Sequence, residues 1–266
     1  DAGSSQVIPS RRLTKRLRHL MGLNPDEEAR IRSRVPGVEH PDDWAELVEK
    51  LRIETGGVPI GVKILPSRVE EDIDRALDAG VDVITIDGAQ AGTGETATIL
   101  QDDFGLPTIR GLCRAVEHLE KRRARQRVSL IASGGLYTPG DYLKALALGA
   151  DAVALGTAAL LAAIHTQITK VLPWEPLTQL IWSGGSAAER FDVEMSSQYV
   201  ANLLKASVEE MKLAVICLGK KAISDINRED LVALDPETAR LTGVPLAYGR
   251  ENHARSDGEK VPQPSL

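Results

Sequence analysis

Between Pro59 and Thr157 four apolar runs rich in Val and Ile recur, each followed by a helical pattern, and no other stretch of this 266-residue chain limits the fold as tightly. They read VPIGVKI, DVITIDGAQAGTGETA, VSLIASGG and AVALGTAAL, and each breaks off in Lys, Asp, Ser or Gly. A short, wholly apolar run that ends on a polar residue is the pattern of a strand buried in a parallel sheet that delivers its last residue to a ligand. The connection into DVITIDG is two residues long, as expected where a helix returns to the next parallel strand. An α/β fold with a parallel sheet follows.

The flanking segments read as helix and loop. Leu13, Leu17 and Leu20 form one helical stripe in RRLTKRLRHLM, and Asn24-Pro25-Asp26 opens a further turn. Asp42 is placed to cap a helix carrying Trp44, Leu47, Val48 and Leu51, which ends at Gly56-Gly57; no strand-like run precedes residue 58. Ser67 is placed to cap a helix over 67–79, Ile109 to Arg125 is helical, and Thr138-Pro139-Gly140-Asp141 starts another helix. TAALLAAIHTQITKVL reads as one apolar helix, and after Pro173 only helices are expected, over about 196–218 and 228–234 with Asn227 as cap. The expected units are therefore 1–57, loops and helices leading in; 58–172, the βα block; 173–250, a helical extension; and 251–266, a flexible polar tail.

Charge and cysteine content exclude several function classes. A net charge of −6 argues against a dedicated nucleic-acid binder, and the basic runs RRLTKRLRH and KRRAR lie in amphipathic sequence as solvated helix faces. The two cysteines, Cys113 and Cys217, stand far apart with no CxxC spacing, so neither a disulfide framework nor a cysteine-ligated metal centre is expected, and a reducing, cytoplasmic setting is. No apolar run reaches the length of a membrane span.

The strand ends carry the chemistry. IASGG and ALGT end consecutive strands and feed directly into helices, so their glycines let backbone N–H groups approach an anion to which the helix N-terminus adds a favourable dipole. In (β/α) barrels the loops after the last two strands often form a phosphate site. Lys63 ends an apolar strand, where it either makes a structural ion pair, with Asp87 as candidate partner, or stabilises an anionic cofactor or substrate carboxylate. The polar, Gly-rich segment after Asp87 is too long for a tight turn and stands where a functional loop belongs.

Taken together, PIGVKI, ITIDGAQAGTGETA and IASGGLYTPGDYLKALALGADAVALGTAAL resemble the FMN-binding barrel of the glutamate synthase family. VPGVEHPDDWAELVEKL upstream and VEEMKLAVICLGKKAISDIN downstream are similar to the family's lead-in and helical tail. The resemblance implies a TIM-barrel type (β/α) fold, an FMN cofactor and reductive amination of a 2-oxo acid (2-oxoglutarate to glutamate) by reduced flavin. It places Lys63 beside the flavin and the 2-oxo acid as the catalytic residue, and Asp87 with the cofactor-binding residues. Gly92, Thr93 and Gly94 would line the active site; Ser133, Gly134 and Gly135 would hold FMN from one side, Gly156 and Thr157 from the other. Ser133 stands where the family usually has Asp. After GTAALL the family supplies three cysteines for an iron–sulfur cluster, whereas this chain reads AAIHTQITKVLPWEP, so no cluster is expected and His165 is read as a helix residue. Ammonia, whether free or derived from glutamine, would come from elsewhere.

Four strands are half of a closed eight-stranded barrel, and the chain is read as its C-terminal half, a piece of something longer. Half a barrel leaves two sheet edges and an inner face open, so a preceding half-barrel segment, a partner subunit or self-association is expected to cover them. Two other functions stay open on the residues alone: a phosphate-binding (β/α) enzyme without redox chemistry, and a non-catalytic assembly subunit.

Overall fold

A computed structural model describes residues 7–30, 35–93, 96, 98–181 and 185–248. In chain order a short antiparallel pair, β1 (Val7–Ile8) and β2 (Ala29–Arg30), encloses α1 (Lys15–Leu20). Helix α2 (Asp43–Glu54) leads into β3 (Gly61–Ile64), α3 (Val69–Asp78) and β4 (Val83–Asp87). Then come α4 (Thr98–Asp102), α5 (Thr108–Lys121), β5 (Ser129–Ser133), α6 (Pro139–Ala147), β6 (Ala152–Ala154) and α7 (Thr157–Ile164). The last part is helical: α8 (Thr178–Ile181), α9 (Val193–Cys217) and α10 (Pro236–Thr242).

The strands β3, β4, β5 and β6 lie side by side in sequence order, all parallel. Right-handed crossovers between successive neighbours put every connecting helix on the same side of the sheet. The burial of the strands shows it. Ile84 and Ile86 of β4 and Leu130 and Ala132 of β5 are fully buried, packed with Ile73 of α3 and Leu112 and Leu119 of α5. Each of the large side chains among them contributes about 1.5–3 kcal/mol relative to remaining in water. The alternate residues Lys63, Thr85, Asp87, Ile131, Ser133 and Ala154 face the other side and are partly or wholly exposed. One covered and one open face, with sequential strand order, make this sheet part of a (β/α) barrel, as the sequence implies.

At the N-terminal edge of the sheet one device occurs twice. The Ile60 amide donates to Asp82 Oδ2 at 2.8 Å while the Asp82 amide returns a 2.7 Å bond to the Ile60 carbonyl, and Arg52 clamps both Asp82 (2.9 Å) and the Gly80 carbonyl (2.8 Å). Two strands on, Leu130 and Asp151 make the same reciprocal pair (2.6 and 2.8 Å), and Arg125 clamps Asp151 (2.7 Å) and the Gly149 carbonyl (2.9 Å). The aspartate satisfies a strand-end amide that the ladder leaves over, and the arginine neutralises it.

Several boundaries differ from the sequence reading. The segment before residue 58 does contain strand, the β1–β2 pair, which two residues per strand make too short for periodicity to reveal. Thr14 caps α1 with its hydroxyl, so this helix starts later than Arg11, and Leu13 is buried ahead of it. Asn24 and Glu27 do close a turn on each other, as the sequence indicates. Asp43, not Asp42, takes up free amides ahead of α2, those of Glu39 and His40, both at 2.7 Å. Arg68 precedes α3 with no side-chain cap, so Ser67 does not serve as one. The first strand of the sheet is Gly61–Ile64, shorter than the run VPIGVKI, and the helix expected over Ile109 to Arg125 spans Thr108–Lys121. The apolar helix after β6 ends at Ile164, because the buried Gln167 turns instead to the start of α9 and bonds the Asp192 carbonyl and Ser196. Residues 228–234 hold only a short 3-10 turn capped by Asn227, and α10 was not foreseen. A single bridge, Ala233 to Leu246, adds an extended contact to the helical extension. The segment 251–266 lies outside the described residues.

Candidate active site at the C-terminal ends of the strands

The registers of β4, β5 and β6 align Asp87, Ser133 and Ala154 across the sheet, with Lys63 paired to Thr85 one step below. Lys63 and Asp87 are thus diagonal neighbours on the open face, and Lys63 Nζ lies 3.2 Å from Asp87 Oδ2. The Lys63 side chain is 58% exposed and Asp87 19%. An ion pair so open to water contributes about 0–1 kcal/mol, so stability does not account for it; its effect is to hold a cation over the open face.

Beside this pair the three strand-end loops surround a cavity of about 410 Å³. Gln90, Ala91, Gly92 and Thr93 line it from the loop after β4, residues 133–137 from the turn after β5, and Ala154, Gly156, Thr157 and Leu160 from the end of β6 and the start of α7. The structure therefore brings together Gly92, Thr93, Ser133, Gly134, Gly135, Gly156 and Thr157, read from the sequence as site residues. Lys63 and Asp87 are not among the lining residues but adjoin it through the Asp87–Ser133 register, and Gly94 lies outside the described residues.

The glycines differ in what they do. Gly134 and Gly135 have φ of +105° and +68°, and a Cβ there would stand 2.8 Å from the Ala91 nitrogen and 2.9 Å from Gln90 Cβ, so only glycine permits this turn. At Gly92 a Cβ would stand 2.3 Å from the end of the Gln101 side chain, which would have to move aside. Gly156 has open space around its α carbon and caps α7 without a side chain. The first amides of α7 have no helical partner and open toward the cavity with the positive end of the helix dipole. Exposed glycine backbone and an uncapped helix start suit a phosphate monoester, so the residues present fit the phosphate end of FMN.

Thr108 and Gln90 escaped the sequence reading of this site. Thr108, at the start of α5, is 3% exposed, and its hydroxyl lies 2.8 Å from the Gly134 carbonyl, 3.1 Å from Gln90 Oε1 and 3.2 Å from the Ser133 carbonyl. Its amide donates to Gln90 Oε1 at 3.0 Å. In the sequence Thr108 follows a proline at an ordinary helix start; its partners lie 18 to 26 residues away and leave no local signal. His165 follows α7 as its C-cap, with its ring edge-on to Tyr199 at 4.8 Å and Nδ1 against the Ala162 carbonyl. Among the described residues no group of His, Cys, Asp and Glu could hold a metal ion, and no helix is long and apolar enough to cross a membrane.

The model for the conserved region in glutamate synthase matches residues 2–221. A glutamate synthase large subunit-like protein of Rhizobium meliloti is 31% identical over 92% of this chain and 59% of its own length. The archaeal glutamate synthase [NADPH] of Methanocaldococcus jannaschii is 32% identical over 77% of this chain and 42% of its own. A mutant flavocytochrome b2 with benzoylformate shares the fold, with a TM-score of 0.50 at 18% identity over 95% of this chain and 51% of that one. The chain thus spans about half the length of these relatives. With its strand-end motifs gathered at one site and the family match running through most of its length, the chain belongs to the glutamate synthase family.

Proposed function

We propose that this chain forms the C-terminal half of an FMN-binding barrel in a glutamate synthase-type oxidoreductase, and that the assembled barrel reductively aminates a 2-oxo acid, 2-oxoglutarate to glutamate. The observation that carries the reading is the cavity where the Gly134-Gly135 turn meets the start of α7, next to the Lys63–Asp87 pair. The two glycine amides and the first turn of α7 would hold the phosphate. Ser133, where the family usually has Asp, would offer a neutral hydroxyl toward the ribityl chain. When bound, FMN supplies the hydride that reduces the imine formed from the 2-oxo acid and ammonia.

Lys63 would attract the substrate carboxylate or negative charge on the ring, and Asp87 would fix its ammonium in place. The rest of the ring pocket would come from the other half of the barrel, whether a preceding segment or a partner subunit, which would also cover the open face of the sheet. Visible absorption and cofactor mass of the purified protein test the reading. A yellow protein that releases FMN on denaturation is the expected result. A colourless protein that takes up no added FMN but binds other phosphate monoesters would favour a non-redox barrel enzyme instead.

A further inference from the structure

We propose that Gln90 is a ligand-contacting residue at the phosphate end of the cavity, and that Thr108 is the positioning residue that aims it. The proposal rests on the phosphate-monoester reading of the cavity given above. An amide N–H can only donate, so the Gln90 atom 3.0 Å from the Thr108 nitrogen is the carbonyl oxygen Oε1. The other end of the side-chain amide, Nε2 with two hydrogens, meets no acceptor among the described residues, and Gln90 lines the cavity. The side chain lies across Gly135, whose missing Cβ makes the room: one placed there would stand 2.9 Å from Gln90 Cβ and 3.7 Å from its amide carbon.

The same threonine sets the turn itself. Its hydroxyl reaches the Gly134 and Ser133 carbonyls, and the Gly88 amide donates to the Ser133 carbonyl at 2.9 Å. In a trans peptide the N–H points opposite to the C=O, so carbonyls drawn toward buried Thr108 turn the Gly134 and Gly135 amides the other way. One buried residue thereby orients three donors from two loops. No Lys, Arg or His lines the cavity among the described residues, so an anion there is held by neutral dipoles, and each donor carries a large share of the affinity.

The test measures dissociation constants for FMN, for riboflavin, which lacks the phosphate, and for inorganic phosphate. The purified protein is compared with its Gln90→Ala, Gln90→Glu, Thr108→Val and Thr108→Ser variants. Gln90→Ala is expected to weaken FMN and phosphate about 10-fold, the equivalent of about 1.4 kcal/mol, with riboflavin unchanged. Gln90→Glu keeps the acceptor for Thr108 but sets a negative charge against the phosphate, so it weakens both further. Thr108→Val keeps the backbone amide that holds Gln90 but loses the hydroxyl's hold on the Ser133 and Gly134 carbonyls, so it should weaken FMN and phosphate through the turn, and Thr108→Ser, which keeps the hydroxyl, should bind like the parent. If the parent binds FMN and Gln90→Ala binds it equally well, or loses riboflavin to the same degree, the proposal falls while the flavin reading stands. If the parent, supplied with a segment carrying the other half of the barrel, binds phosphate but not FMN, the flavin reading falls and the phosphate titration of the same variants decides on Gln90. A parent that binds none of the three sinks both.

Discussion

On the proposed reading Lys63 and the Gly134-Gly135 turn have separate tasks, and substitutions should separate them. Lys63→Ala removes the cation over the open face without touching the cavity lining, so FMN is expected to stay bound while 2-oxo acid turnover falls about 10²–10³-fold, read by steady-state kinetics beside the flavin spectrum. Loss of flavin together with activity would contradict that division. Gly135→Ala forces a side chain into a left-handed backbone against Gln90 and is expected to cost about 1–3 kcal/mol in urea unfolding, together with weaker FMN binding. The sequence exposes Lys63 and the glycines because a charge or a Gly pair at the end of an apolar run breaks the pattern locally. Gln90 and Thr108 break no pattern, since what marks them is a hydrogen bond between residues 18 positions apart.

Among the elements, α6 tests how far local signals suffice. Thr138 and Asp141 exchange bonds in a full capping box, with Pro139 in the first turn, as the sequence indicates. Thr138→Ala should cost about 1 kcal/mol of stability by chemical denaturation, with the reactive loops unaffected. The Arg52–Asp82 device has a pH signature. The Ile60 amide holds the Asp82 carboxyl below its ordinary value of 3.8, burial opposes this, and Arg52 adds to the lowering. A carboxyl depressed in the fold stabilises it above its unfolded pKa, and that stability is lost as pH falls through the folded value. Asp82→Asn should therefore flatten the acid limb of the stability curve below pH ~4 while lowering the plateau above it. An acid limb as steep as that of the parent would count against the device. The twin clamp on Asp151 was not legible, since GVDV and GADA read as ordinary helix-to-strand links until the register brings each Asp to a neighbouring strand.

For the whole molecule the open face is the governing fact. Thr85, Ile131 and Ala154 on that face are in part or fully uncovered, while Ile84, Ile86, Leu130 and Ala132 behind them are sealed by helices. Among the described residues β3 and β6 are the unpaired edges of the sheet, and such edges invite pairing with other chains. Produced by itself, the chain is expected to associate with a concentration-dependent mass above that of one copy, and to do so less when a segment supplying the other four strands is provided in trans. Sedimentation at two concentrations measures this, and a monomer at both would argue that something within the chain covers the face. By itself the sequence determined the number and order of the strands of the parallel sheet, the helices that connect them and the polar residues at their ends, because period, capping and strand termination are local properties. Only the tertiary structure decided which of those residues share a cavity, why Gly135 must be glycine, and which partners Thr108 reaches, because these depend on strand register and on hydrogen bonds between segments that no short window of sequence contains.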